Sequence, residues 1–391
     1  MKNLFDTTKN ITDDLEMRVY TSQILGQDSN LVLHGGGNTS VKIDNTLYVK
    51  GSGWNLDTIE KEGFSPVDLD VLIEMASRDE LSDTQMVKEQ RAALRNQDLS
   101  NPSPSPSIEA ILHAIIPFKF VDHTHADAVV TISNTPNGKK LIQDLYGENM
   151  LIIDYVMPGF ILAKKIFDET RDVDFSTLDG IILLNHGVFT FDDDAKVAYD
   201  KMINIVTLAE EFIASNTTKS YHGNPKILEE GFLDQLQQEV ANLRGCNVLL
   251  TSITTPQAIT FSNIENIKEI VHRGGLTPEH VIRIKPFPAI IYQDINTSLK
   301  QFTNEYMNYF KNNSNTEHIM LDIAPKYAII PGYGVVIFAK DEKEQKVSTD
   351  IVTHTICAIL TAEQLESWTS LKASDLFEME YWELEQAKLK K

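Results

Sequence analysis

Apolar and polar positions along the chain follow two periods. From Asp14 to Gln23 the spacing is helical, and the polar "GQDSN" then leads to the apolar "LVLH", which opens a strand-rich region around "LYVKGSG". After "SPVDLDVLIEMA", helical spacing returns at "DTQMVKEQRAALRN", where long side chains of good helix propensity dominate. The stretch "NPSPSPS", Asn101 to Ser107, cannot sustain helix or central strand, because proline lacks the amide donor and restricts the residue before it. Ser107 is therefore expected to cap a helix beginning at "IEAILHAII", with Glu109 in its first turn, where the helix dipole favours a carboxylate.

An apolar strand follows around "DHTHADAVV", and "LDGIILLNHGVFTFDDDAKVAYDKMINIVTLAEEFIA" reads as a hairpin and a long helix. That helix runs out near "SNTTKSYHGNPK", a polar stretch with turn formers, which places a domain boundary between residues 1–220 and 221–391. Strands and helices mix without strict alternation. The expectation is α/β with a largely antiparallel central sheet, rather than a doubly wound fold.

The two halves echo one another. "IILLNHGVFTFDDDAKV" around His186 resembles "AIIPGYGVVIFAKDEKE" around Tyr333, so that Gly187 matches Gly334, Phe191 matches Phe338, Asp194 matches Asp341, and His186 falls opposite Tyr333. A weaker match sets "DHTHADAVV" against "IRIKPFPAII" and puts Arg283 and Lys285 where the first half has His123 and His125. Hairpin–helix units are common, so chance competes with duplication. Duplication predicts one sheet topology in both halves, and a second copy that has lost metal ligation.

Length changes the picture little: 391 residues fit two domains, each able to bury a core. Charge changes it more, because a formal net charge of −21 repels nucleic acid and anionic membrane, so a phosphate ligand would need a local site. Cys246 and Cys357 form neither a disulfide framework nor a metal spacing, and both are expected to be buried and unreactive in a reducing compartment. "MKNLFDTTKN" has no signal-peptide core, and no apolar run reaches the roughly 18 residues of a membrane span. A soluble cytoplasmic protein is expected.

Side chains at i and i+2 of a strand share a face, so His123 and His125 of "HTH" can aim at one divalent ion. His186, in "LLNHGVF" beside a glycine that permits a tight turn, is available as a third ligand. Three histidines with open coordination positions point to a catalytic metal, Zn²⁺ or a comparable ion, although "HTH" alone reads equally as an ordinary packed strand. Gly35 to Gly37 in "HGGGNTSVK" and Gly51 to Gly53 in "KGSG" could offer consecutive N–H groups to an anion, though each alone is commonly a hairpin turn. Neither is a nucleotide fingerprint. The remaining histidines, His34, His113, His222, His272, His280, His318 and His354, read as packed or solvated rings. Arg283, Lys285 and His280 could together form a cationic site, against the simpler reading of solvated basic residues on a strand.

Taken in order, "GGGNTSVK", "VKGSG", "PSIEAILH", "HTHADA" and "LLNHGVF" resemble the class II aldolase and adducin head family over roughly residues 10 to 215. "GLTPEHVIRIKPFP" and "DLFEMEYWELEQAKLKK" look like the region after the aldolase part of bifunctional rhamnulose-phosphate aldolase/short-chain dehydrogenase proteins; the chain stops where the dehydrogenase would start, so no nicotinamide chemistry is expected. The resemblance implies a three-layer αβα domain followed by a second α/β domain, the latter a candidate diverged copy in the sense above. It implies zinc on His123, His125 and His186, with Glu109 as acid/base. Gly36, Gly37, Asn38, Ser52, Gly53 and Ser107 would hold substrate oxygens and phosphate. Ile108 stands where simpler family aldolases carry a second serine, which weakens the phosphate expectation. A tyrosine from a neighbouring subunit serves as second proton-transfer group in relatives; Tyr146 is the candidate here and Tyr155 its rival.

The activity so implied is reversible cleavage of a ketose 1-phosphate, of rhamnulose or fuculose type, into dihydroxyacetone phosphate and an aldehyde. Epimerisation, dehydration or decarboxylation of a sugar phosphate, and a metal-free binding module, are the alternatives within the family. A small sugar phosphate is the expected partner, with homo-oligomers and a tetramer in prospect.

Overall fold

A computed structural model describes residues 1–95, 102–218, 220–384 and 386. Asn96 at the end of the second predicted helix, Asn101 heading the proline–serine stretch, Lys219 and most of "EQAKLKK" lie outside the described residues. The chain divides into two compact units, residues 1–133 with 137–212 and residues 134–136 with 213–391.

Seven strands build the sheet of the first unit: β1 (Asn38–Ile43), β2 (Thr46–Lys50), β3 (Phe64–Asp68), β4 (Phe120–Thr124), β5 (Met150–Ile153), β6 (Gly180–Leu183) and β7 (Gly187–Asp192). Their order is β3-β2-β1-β4-β7-β6-β5, antiparallel throughout except for the β5–β6 pair. The helices are α1 (Asp14–Gly26), α2 (Leu69–Ser77), α3 (Asp83–Ala92), α4 (Ala110–Ile115), α5 (Asp127–Ser133), α6 (Gly138–Tyr146), α7 (Phe160–Glu169) and α8 (Ala195–Asn216). Alternation along the strands supplies two apolar faces. Val121, Ile181, Phe189 and Phe191 pack with Leu112 of α4 and Ile166 of α7, while Val41 and Phe120 pack with Leu15 of α1 and Ala198 of α8. Helices thus cover both faces, giving the expected α/β domain with a largely antiparallel sheet.

The central strand β4 is buried along its whole length, including Asp122. Arg18 of α1, equally buried, meets that carboxylate at 2.5 Å and also donates to the carbonyls of Ser40 and Val121. A buried charge without such a partner would be costly, so this pair secures the strand that carries His123.

Two local expectations change. "LVLH" is not a strand; instead the carbonyl of Leu31 accepts the N–H of His125 at 2.9 Å. The helix after the proline stretch starts at Ala110, with Glu109 as its N-cap residue rather than in its first turn. Backbone pairing causes the delay: Pro106 bridges Gly51, and Ser107 donates to the carbonyl of Lys50 at 3.0 Å, so the chain is still extended there. Ser107 nonetheless accepts the Glu109 N–H through its hydroxyl at 3.3 Å.

The second unit is also α/β. It has β8 (Leu249–Ile253), β9 (Ala289–Ile290), β10 (Tyr327–Ile330) and β11 (Gly334–Ala339), with α9 (Phe232–Arg244), α10 (Pro256–Ser262), α11 (Ile267–Val271), α12 (His280–Ile284), α13 (Ile295–Asn313), α14 (Glu342–Leu365) and α15 (Ala373–Glu380). Its sheet order is β8-β11-β10-β9, with only β9–β10 parallel. This repeats the β4-β7-β6-β5 half of the first sheet in order and in strand sense.

The echo extends to single bonds. His186 N–H donates to Leu183 and Tyr333 N–H to Ile330; Asp194 and Asp341 each accept, through their side chains, a backbone N–H at the start of the following helix. A Cβ on Gly187 would lie 2.3 Å from the carbonyl oxygen of Thr124, and one on Gly334 would lie 2.4 Å from that of Ile253. The weaker match is corrected: Arg283 and Lys285 are on and just after α12, not on a strand. Register puts Ser252, opposite Val336, in the place of His123 opposite Phe189, and Thr254 follows where His125 would be. Tyr333 donates to Ser252 at 2.9 Å, so hydroxyl groups occupy positions that carry imidazoles in the first unit.

Lys285 is buried, donates to the carbonyl of Asp322 and lies over the ring of Tyr306, which removes it from a cationic surface site with Arg283 and His280. Cys246 and Cys357 are exposed, contrary to expectation, because one follows the glycine that ends α9 and the other faces outward on α14. Among the described residues no helix is long and apolar enough to cross a membrane.

Candidate active site

The three histidines of the first unit converge. His123 is the fourth residue of β4; His125 lies one residue past the strand, fixed by its backbone bond to Leu31; His186 lies in the turn between β6 and β7. That turn uses Asn185 in the left-handed region, φ 61°, which asparagine tolerates better than most residues. One ligand-type atom from each ring lies within 4.8 Å of the others, and the Nε2 atoms of His123 and His125 are 3.0 Å apart. His123 and His186 are buried and His125 is half-buried.

The donor set fits a divalent metal. His123 Nδ1 lies 3.0 Å from the carbonyl of Val188; donation to that oxygen fixes the tautomer and turns the Nε2 lone pair toward the other rings. Tetrahedral Zn–N bonds of about 2.0–2.1 Å would set ligand nitrogens roughly 3.3 Å apart, near the 3.0 Å between the Nε2 atoms of His123 and His125. The ring of His123 is further held by stacking on Phe189 at 4.0 Å. Backbone must come close for this to work. A Cβ at Gly187 would meet His123 Cε1 at 2.9 Å, and one at Gly36 would fall 3.4 Å from His125 Nδ1.

Glu109, 6% exposed, faces two of the rings: Oε2 is 3.5 Å from His123 Nε2 and Oε1 is 3.8 Å from His186 Nε2. Asn38 heads β1 directly across from His123, and its amide donates to Glu109 Oε2 at 2.6 Å. Glu109 Oε1 is buried and finds no hydrogen-bond donor among the described residues, which leaves one carboxylate oxygen open toward the histidines.

Gly36 and Gly37 form the turn that enters β1. Lys50, buried at the end of β2, donates to the carbonyls of Gly35 and Gly37 at 2.9 and 3.0 Å, and thereby fixes that turn with a positive charge beside it. Ser52 N–H donates to Ser105 at 2.8 Å, and Ser107 N–H to Lys50, so "KGSG" and "SPSIE" lie side by side with Gly53 exposed at φ 88°. Ser52 and Gly53 therefore adjoin Ser107, which stands two residues before Glu109.

Tyr146 is engaged elsewhere. Its hydroxyl donates to the carbonyl of Ile205 at 2.8 Å, and burial holds it well above the ordinary tyrosine range. Sequence reasoning missed Lys50 and His113. His113 is four residues after Glu109, so both lie on one side of α4, and its ring bonds Ser40 and Asn38.

Comparison with known proteins agrees with this architecture. The Class II Aldolase and Adducin N-terminal domain matches residues 17–213, and the second domain of class II aldolase matches residues 229–389. The uncharacterized oxidoreductase YuxG of Bacillus subtilis is 29% identical over 421 aligned positions, which take in all of this chain and 60% of that protein. The chain therefore spans 60% of the length of this curated relative. The N-terminal class II aldolase domain of a conserved protein from Thermoplasma acidophilum is 40% identical, with a TM-score of 0.49, over 55% of this chain and 99% of that one. The L-fuculose-1-phosphate aldolase of Thermus thermophilus is 16% identical, with a TM-score of 0.34, over 51% of this chain and 95% of that one. With the N-terminal domain matched over just over half of its length, this chain belongs to the class II aldolase and adducin family and carries the family's second domain after it.

Proposed function

We propose that the chain is a metal-dependent lyase that reversibly cleaves a ketose 1-phosphate into dihydroxyacetone phosphate and an aldehyde, as in the aldolase part of the rhamnulose-phosphate bifunctional proteins. The observation that carries this reading is the open Oε1 of Glu109, 3.8 Å from His186, where three imidazoles converge. His123, His125 and His186 would hold the metal, which when bound supplies a Lewis acid for negative charge developing on substrate oxygens. Glu109 takes or returns the proton at the substrate carbon next to the carbonyl, and the Asn38 amide holds its other oxygen still during that transfer. The hydroxyls of Ser52 and Ser107 and the N–H of Gly53, with the Gly36–Gly37 turn, receive the phosphate, and Lys50 supplies the positive charge that an acidic chain otherwise lacks there.

The proton on the alcohol oxygen falls to a tyrosine in this reading. Tyr146 can serve only where its bond to Ile205 opens, which a homo-oligomeric interface would have to bring about. Metal-loaded chain incubated with a panel of ketose 1-phosphates is expected to release dihydroxyacetone phosphate from at least one of them. Consumption of a sugar phosphate without that product would replace cleavage by dehydration, decarboxylation or epimerisation.

A further inference from the structure

Ser40, His113, Asn38 and Glu109 form one buried chain of hydrogen bonds. Ser40 Oγ lies 2.8 Å from His113 Nδ1, His113 Nε2 meets Asn38 Oδ1 in a short contact, and Asn38 Nδ2 reaches Glu109 Oε2 at 2.6 Å. Ser40 and His113 are completely buried, and Asn38 and Glu109 are each 6% exposed. His113 also meets the edge of Phe189, the residue on which His123 stacks.

The polarity of this chain follows from its end. Asn38 presents its amide to Glu109, so its carbonyl oxygen is the atom that faces His113. His113 must then donate from Nε2. Being neutral, it has no proton left for Nδ1, which must accept from the Ser40 hydroxyl. The inverted chain would set the Asn38 carbonyl oxygen against a Glu109 oxygen, two acceptors face to face in a buried site. Burial holds the His113 imidazolium well below the ordinary histidine range, with Glu109 opposing that shift, which agrees with a neutral ring.

We propose that His113 is a positioning residue: fixed by Ser40 as the Nε2–H tautomer, it orients the Asn38 amide and so aims the free oxygen of Glu109 at the histidine cluster. The proposal rests on the reading of Glu109 as acid/base for its kinetic consequence, but not for its structural one. Ser40 and Asn38 are on β1, and His113 and Glu109 are on α4 and at its cap, so the chain ties the helix to the strand across from His123.

Two variants separate positioning from packing. His113→Gln keeps a donor within reach of Asn38, whereas His113→Leu fills similar space without one. Both are expected to bind metal as the wild type does. The Leu variant should lose kcat by about 100-fold with KM little changed, the scale of a catalytic group displaced by 1 Å, and the Gln variant should recover most of that loss. Equal losses in both variants, or loss of metal along with activity, would show a structural role and overturn the proposal. Two-bond ¹H–¹⁵N spectra of the metal-free full chain, with labelled histidine, give the second readout. They are expected to show His113 protonated at Nε2 and bare at Nδ1, with Ser40→Ala eroding that preference; the opposite tautomer or an imidazolium would sink the idea. If the wild type cleaves no ketose 1-phosphate, the proposed function fails, while the ring signals still decide the tautomer.

Discussion

The two oxygens of Glu109 have different surroundings, and that asymmetry suits the residue to the proton exchange proposed for it. Oε2 is held by Asn38, while Oε1 faces His186 with no donor among the described residues. Glu109→Gln preserves the shape and still accepts from Asn38, but it cannot exchange a proton. Metal content should stay at the wild-type level while turnover falls by about 10²–10⁴-fold, the usual contribution of a general acid–base group. Unchanged turnover would remove the glutamate from the mechanism. At this scale the convergence of the three histidines is legible, because "HTH" on a strand and "NHG" in a turn carry their geometry in their spacing. His113 was not, since a histidine four residues after a glutamate looks the same whether it packs or positions; its role depends on Ser40 and Asn38, some 70 residues away. Tyr146 illustrates the converse, since the carbonyl that engages it belongs to Ile205 and leaves no trace in the local sequence.

Among elements, the hairpin–helix unit occurs twice, and its glycines offer a matched comparison. Gly187 sits against both Thr124 and the His123 ring, whereas Gly334, at φ 135°, sits against Ile253 with no imidazole nearby in the corresponding place. Gly187→Ala should therefore weaken metal binding as well as stability. Gly334→Ala should cost stability alone, by about 1–3 kcal/mol, the scale of a strained backbone position. Chemical denaturation and metal titration of both variants check this, and a loss of metal from Gly334→Ala would contradict it. The hairpins were readable because apolar run, glycine, apolar run and capping aspartate recur in the same order. The counterpart of β4 was not, since "LLTSI" carries no pair of basic residues to set against "HTH", whereas Arg283 and Lys285 share its spacing. Only strand pairing recovers that register.

Across the whole molecule, the first unit carries the histidine cluster, and the second buries ionisable groups of another kind. Glu380 is 2% exposed and accepts from Tyr306 at 2.8 Å, and the Lys285 ammonium lies 3.6 Å from the centre of the Tyr306 ring. Burial pushes Glu380 up to about 7 against the opposing pull of Lys285, and lowers Lys285 to about 8. A carboxyl group raised in the folded state contributes stability that is present at acid pH and is lost as pH rises from its ordinary value of 4.5 through about 7. Lys285 is charged in both states over that range and adds no slope until higher pH. The thermal midpoint of the full chain should thus carry a component that falls between about pH 5 and pH 7, and Glu380→Gln should remove it. An unchanged slope in that variant would place the titration elsewhere. The α/β character and the antiparallel bias could be read from periodicity, whereas the membership of residues 134–136 in the second unit could not, because it depends on backbone and side-chain bonds from Asn134 to Thr369 and Leu276.

Metal is predicted on the first unit and none on the second, since Ser252, Thr254 and Tyr333 stand where His123, His125 and His186 stand in the first unit. Metal content per chain, measured on purified wild type and His125→Ala after equilibration with zinc, tests it most directly. About one metal per wild-type chain, and almost none in the variant, is the predicted result. Wild type that binds no metal, or a variant that keeps it in full, would contradict the account.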